Sequence, residues 1–277
     1  MRSMMTFSHA GKMGDVLSSL YFCIETAAHY REKKFDYCLQ INKQSSDFGK
    51  YFPADGILLT RENAEFIRPL LESQPYIGQV LIREEPEKGF VDLNFFRNGY
   101  ISPAGGEIRD WYYTFSRLTL PREFWKKILF VEPDPAYRDK ILFSLTERYV
   151  NRGIDYMALK EFRDHLVFIG TDSEYQTFRS KYFELDRAEL QPEDSLLTVA
   201  RYLAGAKGFM ANQSGFFSLA ELMKINRILL PPDWVREKGN ESELVAGPKN
   251  NLPLGGWANS VSFTPKMIDA VKELLRM

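Results

Sequence analysis

Four short polar stretches carry residue types suited to group transfer. The first is His9-Ala-Gly11-Lys12-Met-Gly14-Asp15. Its two glycines allow a tight turn with close backbone approach. Asp15 stands where a long helical pattern starts (Val16, Leu17, Leu20, Tyr21, Ile24). It is either a first-turn acid favoured by the helix dipole or a carboxylate held at a strand end to take a proton. His9 reads in the same two ways, as a structural strand-end histidine or as a second base. The other three stretches are Thr146-Glu-Arg148-Tyr149, Gly170-Thr171-Asp-Ser-Glu174 and Asn212-Gln213-Ser214-Gly215-Phe216. An arginine matches phosphate geometry, helix-start amides receive anionic oxygens, and Glu174 suits the hydroxyls of a ribose. Together they fit a nucleoside diphosphate. Each also has a plainer reading: Ser214 as an N-cap of an ordinary strand-to-helix turn, Arg148 and Glu174 as solvated ends.

The elements that must hold these residues follow from apolar periodicity. Met4–Ser8 reads as a strand before the Gly-Asp turn, Phe35–Ile41 as a second, Gln79–Ile82 as a third and Phe90–Leu93 as a fourth, with Asp92 and Arg97 just beyond it. Asp92 and Arg97 either reach the same crevice or form a surface ion pair. Thr60 is placed to cap a helix running to about Ser73, and the aromatic segment Glu107–Phe115 reads as helical. Pro121, Pro133 and Pro135 then interrupt the pattern, which places a domain boundary at about 132–140. Beyond it come a strand at Ile141–Leu145, a short helix at 155–163, a strand at Leu166–Ile169, and a helix carrying Tyr175, Phe178 and Tyr182.

The best-defined stretch is 195–232. Ser195 is an N-cap for a helix with Leu196, Val199, Ala200, Leu203 and Ala204 on one face, and Gly205 suits a left-handed C-cap. A strand at Gly208–Met210, a helix from Phe216 to Met223 and a strand at Arg227–Leu230 follow. A Pro/Gly-rich crossing (231–256) leads to a last helix, with Thr264 as cap and Pro265 in the first turn. Strand–helix alternation of this kind is the pattern of parallel α/β sheets. The expected fold class is therefore α/β, with two Rossmann-like domains over residues 1–135 and 136–277. In such sheets ligands sit at the carboxyl ends of the strands, so the Thr146, Gly170 and Asn212 loops should converge on one edge.

Composition limits the function classes. The chain has 277 residues, enough for two cores of roughly 130 residues. Formal charge is −1, which gives no global pull toward nucleic acid or anionic membrane. No run of about 18–20 apolar residues is present, and the N-terminus lacks the order of a signal peptide. Cys23, in a helical pattern, and Cys38, in a strand, read as reduced core residues. The expected location is the cytoplasm.

In order along the chain, His9-x-Gly11-x-x-Gly14-Asp15, Val91-Asp-Leu-Asn-x-Phe-Arg97, Thr146-Glu-Arg-Tyr149, Val167-Phe-Ile-Gly-x-x-x-Glu-Tyr175, Phe209-Met-x-Asn-Gln-Ser214 and Leu219-Ala-Glu221 resemble the heptosyltransferase-like glycosyltransferases of the GT-B fold. The resemblance implies two Rossmann-like domains facing across a cleft. It implies transfer of a sugar from a nucleotide-diphosphate sugar to an acceptor hydroxyl of a glycan, a lipopolysaccharide-like molecule or another alcohol. Asp15 would be the catalytic base, with His9 beside it. Donor-binding residues would be Thr146, Arg148, Gly170, Thr171, Glu174, Asn212, Gln213, Ser214, Gly215 and Phe216. Acceptor-binding residues would be Gly11, Lys12, Gly14, Asp92 and Arg97. The last helix either stays with the second domain or packs back on the first.

Two positions depart from the family pattern. Ser218 stands where heptosyltransferases usually carry a histidine, and Arg148 replaces an expected lysine. No Asp-x-Asp closes a strand and no His/Cys cluster has ligand spacing, so neither metal nor other cofactor is expected. Two alternatives remain: a glycosyltransferase acting on modified DNA bases, and a non-catalytic nucleotide- or glycan-binding module of the same fold. A dinucleotide oxidoreductase ranks last, for want of the Gly-x-Gly-x-x-Gly fingerprint.

Overall fold

A computed structural model describes residues 4–44, 56–97, 108–116, 118–146, 150–182, 194–212, 214–231, 258–260 and 264–277. The chain separates into two compact units. One comprises Met1–Phe124, Ile128–Phe130 and Ser195–Leu197; the other comprises Trp125–Lys127, Val131–Asp194 and Thr198–Met277.

The first unit is a four-stranded parallel sheet. Its strands are β1 (Thr6–His9), β2 (Phe35–Gln40), β3 (Ile77–Arg83) and β4 (Val91–Asp92), in the order β3-β2-β1-β4. Every residue of β1 and β2 is buried, as interior strands of a sheet covered on both faces must be. Their polar members, Thr6, Ser8, His9, Asp36 and Gln40, therefore lie inside the protein. Helix α1 (Met13–His29) follows β1 and buries Val16, Leu17, Leu20 and Phe22 among others. In α2 (Arg61–Glu72) the expected cap is present, with Thr60 Oγ1 accepting the Asn63 N–H at 3.2 Å. Helix α3 (Ile108–Ser116) buries Tyr112 and Tyr113.

The second unit is a five-stranded parallel sheet in the order β6-β5-β7-β8-β9, with β5 at Ile141–Ser144, β6 at Leu166–Phe168, β7 at Gly208–Asn212, β8 at Arg227–Leu230 and β9 at Ala258–Ser260. Its helices are α4 (Asp172–Lys181), α5 (Leu196–Gly205), α6 (Gly215–Met223) and α7 (Thr264–Arg276). Phe143 packs edge-on against Phe168 and Phe178, at centroid separations of 5.2 and 4.9 Å. Met267, Ala270, Val271 and Leu274 of α7 belong to the same cluster. The last helix thus places its apolar stripe in the core of the second unit.

Several local expectations change. The helix expected at 155–163 is a 3-10 helix, Tyr156–His165, capped by Asp155. Gly205 ends α5 without a positive φ; a Cβ there would lie 1.8 Å from the Asp134 carbonyl oxygen. Close backbone approach, and not a left-handed cap, is what demands glycine. The left-handed cap sits instead at Lys224, which ends α6 with φ 55°. The hydroxyl of Thr264 accepts the Asp155 N–H at 2.8 Å, tying α7 to the 3-10 helix. Strand β9 lies where no strand was expected.

In each sheet the unit's first strand is interior, β1 between β2 and β4, β5 between β6 and β7. Chain order reverses there, and the reversal leaves a crevice at the carboxyl ends.

Candidate functional site

At the carboxyl end of β1 the chain turns through Ala10–Lys12 into α1. Lys12, exposed and extended (φ −60°, ψ 163°), is the N-cap residue. Asp15 sits in the first helical turn, half-buried, and its Oδ2 accepts the Lys12 N–H at 3.1 Å. A Cβ on Gly11 would lie 2.8 Å from that same Oδ2 and 2.4 Å from His9 Cε1. The carboxylate therefore folds over a position that only glycine can fill.

His9 is fully buried. The Gly11 N–H reaches its Nδ1 at 2.7 Å, and its Nε2 lies 2.6 Å from the Tyr112 hydroxyl. A backbone N–H can only donate, so Nδ1 accepts and the ring proton is on Nε2. That proton goes to Tyr112, whose own hydroxyl proton goes to the Asp15 carbonyl at 3.0 Å. Both ring nitrogens are thereby engaged in holding the turn.

Just past β4, Asn94 Oδ1 accepts the Ala10 N–H at 2.9 Å. Asp92 is exposed, and its Oδ1 accepts both the Asn94 N–H and an Asn94 side-chain N–H at 2.8 Å. Asp92 thus orients Asn94, and Asn94 holds the end of β1. The backbone of Arg97 closes a short 3-10 helix, Leu93–Arg97. Gly14 lies in α1 and its carbonyl accepts the Ser18 hydroxyl.

The second unit repeats this plan. Asn212, fully buried at the end of β7, accepts from the Thr146 N–H (3.1 Å) and hydroxyl (3.3 Å) and donates to the Thr146 carbonyl at 2.7 Å. An asparagine again stitches the two strands that flank the reversal. Ser214 is the N-cap of α6, and its Oγ accepts the Phe217 N–H at 3.3 Å. The N–H groups of Gly215 and Phe216 then have no acceptor within the helix. Thr171 and Glu174 form a reciprocal capping box at α4: Thr171 Oγ1 accepts the Glu174 N–H, and Glu174 Oε2 accepts the Thr171 N–H. A Cβ on Gly170 would lie 2.7 Å from Phe168 and 3.0 Å from Glu174 Oε2. Leu145, Val150, Phe178 and Tyr182, with Glu174 and Lys181, line a small pocket next to this cap.

Asn151 was not expected to matter, yet its buried amide donates to the Pro231 carbonyl at 2.7 Å and its Oδ1 accepts the Gly153 N–H. This fastens the chain after β5 to the end of β8. Arg148 and Gln213 lie outside the described residues, as does the side chain of Arg97. Tyr112 and Asn94 also escaped prediction as site residues, although Asn94 lies inside a stretch marked by the family resemblance. Among the described residues, no three His, Cys, Asp or Glu side chains gather as a metal site would need.

Solved structures match over the whole chain. E. coli ADP-heptose lps heptosyltransferase II superposes with a TM-score of 0.61 at 12% identity, covering 99% of each chain. A glycosyl transferase family 9 protein from Veillonella parvula DSM 2008 gives 0.59 at 11% identity, over 98% of this chain and 97% of that one. E. coli heptosyltransferase WaaC, solved with ADP, gives 0.57 at 13% identity, over 99% and 100%. The fold is the heptosyltransferase fold. No protein-family model matches the sequence, and no curated protein does. At 11–13% identity, backbone arrangement is what these proteins share with the chain. Within the heptosyltransferase fold, the Gly11–Asp15 turn and the Ser214–Phe216 turn each occupy the reversal point of a sheet.

Proposed function

We propose that this protein is a glycosyltransferase, moving a sugar from a nucleotide-diphosphate sugar to an acceptor hydroxyl. The observation that carries the proposal is the build of the two sheets. Each ends, at its reversal point, in a polar turn that opens a helix. One turn presents the carboxylate of Asp15 and the other the open amides of Gly215 and Phe216. The second unit holds the donor: Thr146, Ser214, Gly215 and Phe216 bind the diphosphate, Arg148 and Gln213 are assigned to it from the sequence, and Gly170, Thr171 and Glu174 serve the nucleoside. The first unit holds the acceptor through Gly11, Lys12, Gly14, Asp92 and Arg97. An adenosine diphosphate is the donor nucleotide tried first, because E. coli heptosyltransferase WaaC is seen with ADP.

In the reaction the acceptor oxygen attacks the anomeric carbon while its proton passes to the Asp15 carboxylate. The bond from the anomeric carbon to the diphosphate oxygen breaks, and its electron pair leaves with the nucleoside diphosphate. Arg148 and the α6 amides receive that charge, so no metal is required. His9 is not the base, since taking a proton on Nδ1 would expel the Gly11 N–H. Ser218 favours the second reading, a binding module without turnover, because it supplies no imidazole beside the diphosphate turn.

A thermal-shift screen against ADP, UDP, GDP and CMP and their sugars tests donor binding. A ligand at 100 times its Kd adds about 2.7 kcal/mol to the folded state. Donor turnover that vanishes in Asp15→Ala supports the enzyme. Binding without turnover from any donor supports the module, and stabilisation by none of these nucleotides removes both.

A further inference from the structure

We propose that Tyr112 is a positioning residue for Asp15, acting on its backbone carbonyl while His9 ties the phenol to Gly11; the proposal rests on the glycosyltransferase reading above. A general base must be held to within a fraction of an ångström of its working position, and the first turn of a helix opening from a glycine turn is not stiff by itself. Here one phenol closes the turn into a ring. The Gly11 N–H donates to His9 Nδ1, His9 Nε2–H donates to Tyr112, and Tyr112 donates to the Asp15 carbonyl. Every proton in this ring has one direction, because the Gly11 N–H cannot accept.

Tyr112 reaches the turn from α3, 97 residues along the chain. It cannot swing away. Its ring is fully buried, stacked on Phe22 at 6.2 Å and edge-on to Phe95 at 6.4 Å. The carbonyl it grips belongs to the same residue whose carboxylate folds over Gly11. Fixing that carbonyl fixes the Cα–Cβ direction of Asp15, and with it the point from which the carboxylate meets the acceptor hydroxyl. Tyr112 touches neither substrate nor the reacting atoms; it acts through the backbone of Asp15.

The test uses the full chain with the sugar donor found by the nucleotide screen. Tyr112→Phe keeps the ring packing and removes only the hydroxyl. His9→Asn keeps an amide oxygen near the place of Nδ1 for the Gly11 N–H and cuts the link to Tyr112. Each variant is expected to lower kcat about ten- to hundredfold, with the donor KM within about twofold of wild type and the melting temperature lowered by only a few degrees, the cost of one broken buried hydrogen bond. The double variant should be no slower than the slower single one, because both cut the same ring. Wild-type kcat in Tyr112→Phe overturns the proposal, as do losses that multiply in the double variant. Loss of kcat, donor binding and melting temperature in parallel assigns the hydroxyl to the fold alone, and also overturns it. If the wild type turns over no donor, or Asp15→Ala is as fast as wild type, the glycosyltransferase reading or the role of Asp15 fails, and Tyr112 loses its role with it. An inactive Asp15→Ala beside an unaffected Tyr112→Phe removes only the positioning role.

Discussion

Asp15 and His9 occupy one turn, and the hydrogen bonds separate them. The carboxylate is half-buried over Gly11, whereas both nitrogens of His9 are engaged within the turn. Asp15→Asn keeps an oxygen for the Lys12 N–H and removes the proposed base. It should lower kcat about 10²- to 10⁴-fold with nucleotide binding retained, a split that steady-state kinetics and calorimetry read separately. Gly11→Ala should damage the same turn from within, since its methyl group meets His9 and Asp15 closer than any real contact allows. A cost of about 1–3 kcal/mol is expected in urea denaturation, with loss of turnover. At this scale the sequence was informative about residue types: a glycine turn ending in a carboxylate is visible in the chain itself. The role of His9 was not visible, because its partner Tyr112 is 103 positions away in a helix whose aromatic residues read as packing.

Among the elements, the recurring device is an asparagine at or just past the end of the strand that flanks each reversal point. Asn94 takes the Ala10 N–H, and Asn212 takes and returns hydrogen bonds with Thr146. A strand end at a reversal has lost its neighbour on one side, and a short amide side chain supplies the missing donors and acceptors. Asn212→Leu should break its three hydrogen bonds with the half-buried Thr146, at about 0.5–1.5 kcal/mol each. Nucleotide affinity should fall more than the apo melting temperature implies, and a thermal shift with and without ADP checks this. Gly205→Ala is predicted to be costly for a reason unrelated to the site. Its methyl group would meet the Asp134 backbone, and Asp134 N–H is itself bonded to the Arg201 carbonyl, so neither side yields. A loss of about 3 kcal/mol or more, with kcat unchanged in the folded fraction, is expected. Strand–helix alternation and most element positions were legible because apolar runs report burial. Strand β9, Ala258-Asn-Ser260, has no apolar run to mark it, and strand order depends on pairings between distant segments.

For the whole molecule, high pH should cost the first unit stability. Burial opposes ionisation of Cys23, Tyr37, Cys38, Tyr76 and Tyr113 in the first unit, and the second unit also buries a tyrosine, Tyr156, in its core. Burial pushes the Cys38 thiol from 9.0 up to about 11 and raises the other four groups of the first unit further. For Tyr113 the Glu25 carboxylate, which accepts its hydroxyl, adds to the effect of burial. The unfolded chain ionises these groups near their ordinary values while the folded unit keeps them neutral. Their contribution is therefore complete below about pH 9, where neither state ionises, and is lost as pH rises from there through the folded values. Each group released only on unfolding adds about 1.4 kcal/mol of lost stability per pH unit. Urea unfolding followed by far-UV circular dichroism should be steady with pH up to about 9. Stability should then fall, with sites within residues 1–124 opening to limited proteolysis. Both thiols should stay slow toward alkylation in the native protein at pH 8, where Cys38 is about one part in a thousand thiolate. A single transition that moves with pH for both units together would show that the units unfold as one body, and rapid native alkylation would show that the first core opens far more often than its burial implies.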